Sequence, residues 1–366
     1  MAKPFSIVIP TYKEHDNIDP LVQRLGDELH GRQYEILFID DNSRDGIEEA
    51  VAELSARYPA RIVVRKDVKG LATAVMDGFD LARYDTILVM DADLQHPPEI
   101  APLLVDAIEK GADVAVASRY VAGGGNVGWN KLRQIISKGA IIMAHLLLPL
   151  SRNVKDPMSG FFAFRRELIK NVKLAPIGYK ILLELIVIAR PRTVAEVPFM
   201  FRTREKGKSK LNLGQELEYI RHLVSLMRRS GEVSRFIKFT VVGLSGVIVN
   251  EGSRLILTRF GGLAYPRDWI AAIIGIEVSI LTNYLLNNYI TFADCRIPGL
   301  KSFFNRMVKF NLISLVGAGI QFGTYVTLTR YVGFSQRPFD TVANLIGIVL
   351  AMLWNFLSNN WWTWKR

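Results

Sequence analysis

The chain has 366 residues, 49% of them apolar, a mean hydropathy of +0.17, one cysteine and a formal charge of +11. It is long enough for two domains and too apolar to be disordered, and the lone Cys295 excludes an internal disulfide framework and a thiolate-built zinc site. Residues 1–118 carry 12 Lys+Arg against 22 Asp+Glu, residues 119–234 carry 21 against 8 and residues 235–366 carry 13 against 5, so the basic balance falls on a chain whose last third is too apolar for a duplex-binding surface.

Phe5–Pro10, Glu35–Ile39, Arg61–Val64, Thr86–Met90 and Asp113–Ala117 are short Ile- and Val-rich runs that predict buried strands. The first of them opens the chain where a secretory signal would otherwise stand. Amphipathic stretches at Asp16–Leu29, Gly46–Tyr58, Leu71–Arg83 and Pro98–Lys110 lie between the strands. The alternation predicts an α/β domain with a parallel sheet covered by helices on both faces, and ligands in such sheets bind beyond the strands' carboxyl ends.

Residues 119–234 break the rhythm. Lys131–Leu150 is helical, with an apolar part too short to cross a bilayer, and Leu213–Met227 is amphipathic and ends in Arg228–Arg229. Basic flanks on short amphipathic helices fit either interfacial helices or ordinary packing helices. Phe161–Phe164 is a candidate strand, Ile181–Ala189 is apolar and Thr193–Phe201 alternates. A domain boundary is expected near residue 230. Beyond it, apolar segments at about 236–259, 269–292, 310–330 and 341–364 are each long enough to span a bilayer as an all-α four-helix domain. The Lys and Arg bias of the loops places both termini and the first domain in the cytoplasm. Glu251, Arg254, Glu277 and Asn283 are costly in lipid and should face protein or water.

Three carboxylate-rich segments follow strands: Pro10-Thr11-Tyr12-Lys13-Glu14, Asp40-Asp41-Asn42-Ser43-Arg44-Asp45-Gly46 and Asp91-Ala92-Asp93-Leu94-Gln95-His96-Pro97. Asp91, Asp93 and Gln95 form an all-oxygen donor set suited to Mg²⁺ or Mn²⁺ held jointly with substrate phosphates. His96 reads as a turn residue, and Lys66, Lys69 and Gly70 as a solvated turn or a phosphate contact.

In order and spacing, "IVIPTYKE", "IDDNSRDG" and "DADLQHPPE" resemble glycosyltransferase family 2, inverting nucleotide-sugar enzymes with a Rossmann-like GT-A fold. "ASRY", "RQIISKG", "DPMSGFFAFRRELI", "GYKILLEL" and "VPFMFRTREKGKSKL" narrow this to the dolichol-phosphate mannose synthases and their bacterial polyprenyl-phosphate relatives. "FIKFTVVGLSG" and "NNYITF" resemble the GtrA-like membrane proteins. The resemblance implies that Pro10, Tyr12, Glu14, Ile39 and Asp41 hold the nucleotide, with Ala92 in the same sugar-nucleotide site. It implies that Asp91, Asp93 and Gln95 hold the metal, and that Arg204 and Lys210 close over the diphosphate. Arg119, Arg133 and Ser137 would bind the acceptor phosphate, with Asp156 and Glu184 as further candidates for positioning it.

The expected activity is inverting, metal-dependent transfer of mannose from GDP-mannose to a dolichyl or other polyprenyl phosphate at the cytoplasmic membrane face. A phosphate monoester is already largely anionic at neutral pH, so it needs no general base. No Arg-Trp pair occurs, which excludes the Gln-x-x-Arg-Trp motif of processive polysaccharide synthases. Glucosyl transfer from UDP-glucose, and a lipid-linked sugar flippase supplied by the first domain, stand as alternatives.

Overall fold

The computed structural model describes residues 3–67, 69–202, 213–334, 336 and 338–365. The chain divides into two compact units, Met1–Ser230 and Gly231–Arg366.

In the first unit, β1 (Phe5–Thr11), β2 (Tyr34–Asp40), β3 (Ala60–Val64), β4 (Thr86–Val89) and β5 (Val114–Ser118) alternate with α1 (His15–Glu28), α2 (Ile47–Ser55), α3 (Leu71–Leu81) and α4 (Ala101–Glu109). There follow β6 (Gly125–Asn126), α5 (Lys131–Leu147), β7 (Phe162–Arg165), α6 (Ile181–Glu184, continued by a π-helical turn to Ala189), β8 (Val194–Pro198), β9 (Met200–Phe201) and α7 (Leu213–Ser230). The main sheet has the order β3-β2-β1-β4-β7-β5-β8. Alternate side chains of β1 and β2 feed two cores: Ile7, Ile9 and Phe38 pack with α1, α2 and α4, and Val8, Leu37 and Ile39 pack with α3 and α6.

The sheet is mixed, where the strand–helix rhythm predicts it to be parallel throughout. β7 is antiparallel to both β4 and β5. A short apolar run such as Phe161–Phe164 is compatible with either direction, and the entry point of the preceding loop decides between them. The antiparallel choice brings the segment before β7, Asp156–Gly160, to the edge where β4 and β5 end.

A third cluster joins α5 to α6 and α7 through Ile141, Ala144, Leu183, Tyr219, Leu223 and Leu226, and the Tyr219 hydroxyl donates to Ala140 O at 2.7 Å. α5 stops at Leu147 because Pro149 biases Leu148 away from the helical region. The other faces of α5 and α7 stay exposed at Leu132, Ile135, Ile142, Leu217 and Ile220.

The second unit is two helical hairpins: α8 (Glu232–Arg259) with α9 (Asp268–Leu286), and α10 (Leu300–Tyr331) with α11 (Phe339–Ser358). α10 starts ahead of its apolar stretch, since Gly299 marks its beginning and Lys301, Arg306 and Lys309 are compatible with helix. α9, α10 and α11 are long and apolar enough to cross a membrane. α8 is long enough, but Glu251 and Arg254 interrupt its apolar run.

The hairpins are copies of one pattern. Arg235, Lys238, Phe239 and Gly246 recur at constant spacing as Arg306, Lys309, Phe310 and Gly317. Asn283, Asn287, Asn288, Thr291 and Phe292 recur as Asn355, Asn359, Asn360, Thr363 and Trp364, and α9 and α11 both end in a π-helical turn. Each hairpin closes in the same way. A Cβ on Gly246 would strike Asn283, and one on Gly317 would strike Asn355. The equivalent rings of Phe292 and Trp364 stack face to face, 4.3 Å apart and 4° from parallel. Asn287, Asn288, Asn359 and Asn360 are buried, while Leu244, Ile248, Leu315 and Phe322 face outward. Polar groups inside and aliphatic groups outside are what a lipid environment selects.

Candidate active site

Three strand ends and two later segments line one cavity of about 890 Å³ in the first unit. The carboxyl end of β1 supplies Pro10, Tyr12 and Glu14, and that of β2 supplies Asp41. Asp40 is buried and shapes this corner by accepting from Ser43 N at 2.7 Å and from Thr11 Oγ1 at 3.2 Å. Asp41 accepts from Gly70 N at 2.7 Å and pairs with Arg65 Nε at 3.2 Å, which fixes the Lys69–Gly70 turn on the cavity wall. Tyr12 is exposed, with the ammonium groups of Lys13 and Lys69 at 5.5 and 5.8 Å from its ring.

After β4, Asp91, Ala92, Asp93, Gln95 and His96 line the same cavity. Leu94 takes a positive φ of 59°, and this tight turn lets Asp93 Oδ1 accept from Gln95 N at 3.2 Å. Gln95 Nε2 donates to Arg202 O at 2.9 Å, which fixes the amide's orientation. Among the described residues no group of three His, Cys, Asp or Glu side chains is placed to hold a metal. Two carboxylates and an amide oxygen are hard donors. They fit Mg²⁺ or Mn²⁺ of the kind that completes its shell with water and substrate phosphate.

His96 is no simple turn residue. It is buried, stacked on Phe161 with ring centroids 5.0 Å apart, and its Nδ1 accepts the Asp91 N–H at 2.9 Å. That contact puts the ring proton on Nε2. Burial pushes the imidazole down to about 4; Arg119 adds to the effect and Asp93 opposes it. A neutral imidazole therefore braces the backbone that carries Asp91.

Arg119, which follows β5, and Arg133 and Ser137, which share one face of α5, line the same cavity. Trp129 joins the two arginines, with guanidinium carbons 5.4 and 4.3 Å from its ring. Ser137 hydrogen-bonds Tyr120 Oη at 2.9 Å. Arg119 is bound bidentately by the fully buried Asp156, with Nε at 2.7 Å and Nη2 at 2.8 Å.

Of the residues expected at the site, Pro10, Tyr12, Glu14, Asp41, Asp91, Ala92, Asp93, Gln95, Arg119, Arg133 and Ser137 are brought together. Ile39 is not: its side chain is fully buried in the core beneath β2, because alternation turns it toward α3. Arg204 and Lys210 lie outside the described residues. Glu184 is also absent from the cavity wall. It is buried and accepts from Ala175 N, His222 Nε2 and Arg229, and these contacts hold its carboxyl below the usual range despite burial. Asp156 acts on the site through Arg119. Lys180, at the start of α6, lines the cavity although its charge gave no sequence signal beyond its place in "GYKILLEL".

Comparison with known proteins gives the family. Residues 6–173 match the family model for glycosyl transferase family 2, and residues 238–364 match that of the GtrA/DPMS transmembrane domain. The dolichol-phosphate mannosyltransferase of Pyrococcus furiosus is 44% identical over 98% of this chain and 99% of its own. The chain belongs to the dolichol-phosphate mannosyltransferase family. It is a membrane glycosyltransferase whose GT-A catalytic domain precedes a helical region with apolar helices. The Saccharomyces cerevisiae dolichol-phosphate mannosyltransferase is 38% identical over 62% of this chain and 88% of its own. Among solved structures, glucosyl-3-phosphoglycerate synthase from Mycobacterium tuberculosis superimposes with a TM-score of 0.49 at 20% identity, over 63% of this chain and 80% of that one.

Proposed function

We propose that the enzyme transfers mannose from GDP-mannose to a dolichyl or other polyprenyl phosphate, with inversion, and releases GDP at the cytoplasmic face of the membrane. The observation that carries this reading is one cavity lined both by the carboxylates Glu14, Asp41, Asp91 and Asp93 and by Arg119, Arg133 and Ser137. Glu14 and Asp41 accept hydrogen bonds from base and ribose, and Tyr12 offers a flat face. Asp91, Asp93 and Gln95 hold the divalent ion; when bound, it supplies charge stabilisation for the departing diphosphate. Arg204 and Lys210 add positive charge to the same phosphates.

Arg133 and Ser137 hold the acceptor phosphate with one oxygen directed at the anomeric carbon, on the face opposite the leaving group. The acceptor arrives as an anion, so these side chains need only orient it and neutralise its charge. The exposed apolar faces of α5 and α7, with Lys131, Lys138, Arg221 and Arg228 beside them, lie at the headgroup layer and bring the lipid phosphate to the cavity.

The test is direct. The full chain is incubated with labelled GDP-mannose or UDP-glucose, a divalent ion and a polyprenyl phosphate, and label entering the organic phase is counted. Lipid-soluble mannose is expected. Lipid-soluble glucose, or no lipid product, would overturn the substrate assignment.

A further inference from the structure

Arg119 and Arg133 both flank Trp129, and the charge of Arg119 is already met within the protein. The Arg119 guanidinium is balanced by Asp156, which accepts two of its hydrogen bonds and a third from its backbone N–H at 3.0 Å. A phosphate monoester carries about −1.5 to −2 at neutral pH. The Arg119–Asp156 pair brings no net charge to meet it.

Lys180 stands on the same cavity wall and is differently placed. Among the described residues its ammonium meets one carbonyl, Met158 O at 3.4 Å, and the face of Tyr179, with Nζ 4.3 Å from the ring centre. No described carboxylate forms an ion pair with it. An ammonium in a cavity with only a long carbonyl contact keeps donors for something that enters the cavity. Its position is informative too, because Lys180 lines the same cavity as Arg119, Arg133 and Ser137 and as Asp91 and Asp93. Its one carbonyl contact, Met158 O, belongs to the segment that also carries Asp156.

We propose that Lys180 is a cationic ligand of the acceptor phosphate, supplying charge that Arg119 cannot, since Arg119 is committed to Asp156. This rests on the lipid-phosphate acceptor proposed above. The same ammonium chemistry would suit the donor diphosphate, and the test separates the two sources. The empty protein bears a cost for Lys180, since burial pushes its ammonium down to about 7, with Arg119 adding to the effect and Asp156, Glu216 and Asp91 offsetting it in part. A half-buried ammonium with one long hydrogen bond and one ring contact contributes little to the fold, so its replacement by an apolar side chain should not lower stability.

The experiment uses the full chain in lipid–detergent micelles, with Lys180→Met and Lys180→Arg. Failure of the wild-type chain to mannosylate a polyprenyl phosphate overturns the functional reading itself, and this proposal with it. With the wild type active, Lys180→Met should raise KM for polyprenyl phosphate ~10–100-fold, as loss of one charge-assisted hydrogen bond does, and leave KM for the sugar nucleotide within about twofold. Lys180→Arg should recover part of the loss. The thermal midpoint of Lys180→Met, read without substrate at pH 7, should be equal to or above that of the wild type. A rise in sugar-nucleotide KM as large as that for the lipid assigns Lys180 to the diphosphate and overturns the proposal. Unchanged KM values, or a lowered thermal midpoint in Lys180→Met, overturn it as well.

Discussion

Arg119 and Asp156 form a bidentate pair in which the carboxylate is fully buried and the guanidinium is almost so, at 8% side-chain exposure. The pair joins the end of β5 to the segment entering β7, so it ties the antiparallel strand to the acceptor wall. Asp156→Ala leaves a buried guanidinium uncompensated, and removal of one partner of such a pair costs about 3–5 kcal/mol. Denaturant unfolding of the full chain, followed by tryptophan fluorescence, should show a loss of that size. A loss well under 1 kcal/mol would mean that water replaces Asp156.

Asp91 and Asp93 carry the proposed metal, and neither belongs to the apolar core that holds the sheet together. Asp91→Ala or Asp93→Ala should reduce transfer by at least about a hundredfold, the scale of losing an electrostatic stabiliser at a developing charge, while the chain still folds. Chelation by EDTA should stop the wild-type enzyme, and Mg²⁺ or Mn²⁺ should restart it. Near-normal rates in either variant would remove these residues from the metal site.

The pH dependence follows from Lys180. With a value of about 7 in the empty enzyme, against roughly 10.4 in an unfolded chain, its amine is charged below pH 7 and neutral above. Acceptor binding above pH 7 must take up a proton, so KM for polyprenyl phosphate should rise with pH, by at most about tenfold per unit. Stability runs the other way: the unfolded chain holds more protons between pH 7 and 10, so this group's unfavourable contribution fades as pH rises through that window. Lys180→Arg should flatten the KM profile. An acceptor KM constant from pH 6.5 to 8.5 in the wild type would contradict this account.

The duplicated hairpins predict paired effects. Gly246 and Gly317 lie against Asn283 and Asn355, so Gly246→Leu and Gly317→Leu should each lower membrane-unit stability by about 1–3 kcal/mol, as overpacking does. Thermal stability in detergent should fall similarly for both variants. A large effect in one hairpin alone would show that the copies have diverged in packing.

Much of the fold is legible in the sequence. Ile and Val runs mark β1, β2, β4 and β5 as buried, whereas β3, which the same pattern marks as buried, is a half-buried edge strand, and apolar length marks the last helices. Carboxylates after strands marked the site because topology puts strand ends together. The internal repeat is also written in the sequence, at Asn287-Asn288 and Asn359-Asn360, but polar residues inside apolar helices register as exceptions until their burial is seen.

Other features depended on tertiary structure. The direction of β7 depended on where its loop enters, which no local pattern encodes. Ile39 and Asp41 stand two apart in the chain, yet only the core packing shows Ile39 beneath the sheet and Asp41 at the cavity. His96, Arg119 and Lys180 are ordinary polar residues in the sequence. Their roles rest on burial and on partners distant in the chain: the Asp91 loop against Phe161 for His96, Asp156 for Arg119, and the absence of a described carboxylate partner for Lys180. Composition and periodicity carry information about which surfaces leave water. Which charge is cancelled, and which is left to meet a ligand, is a property of neighbours in space.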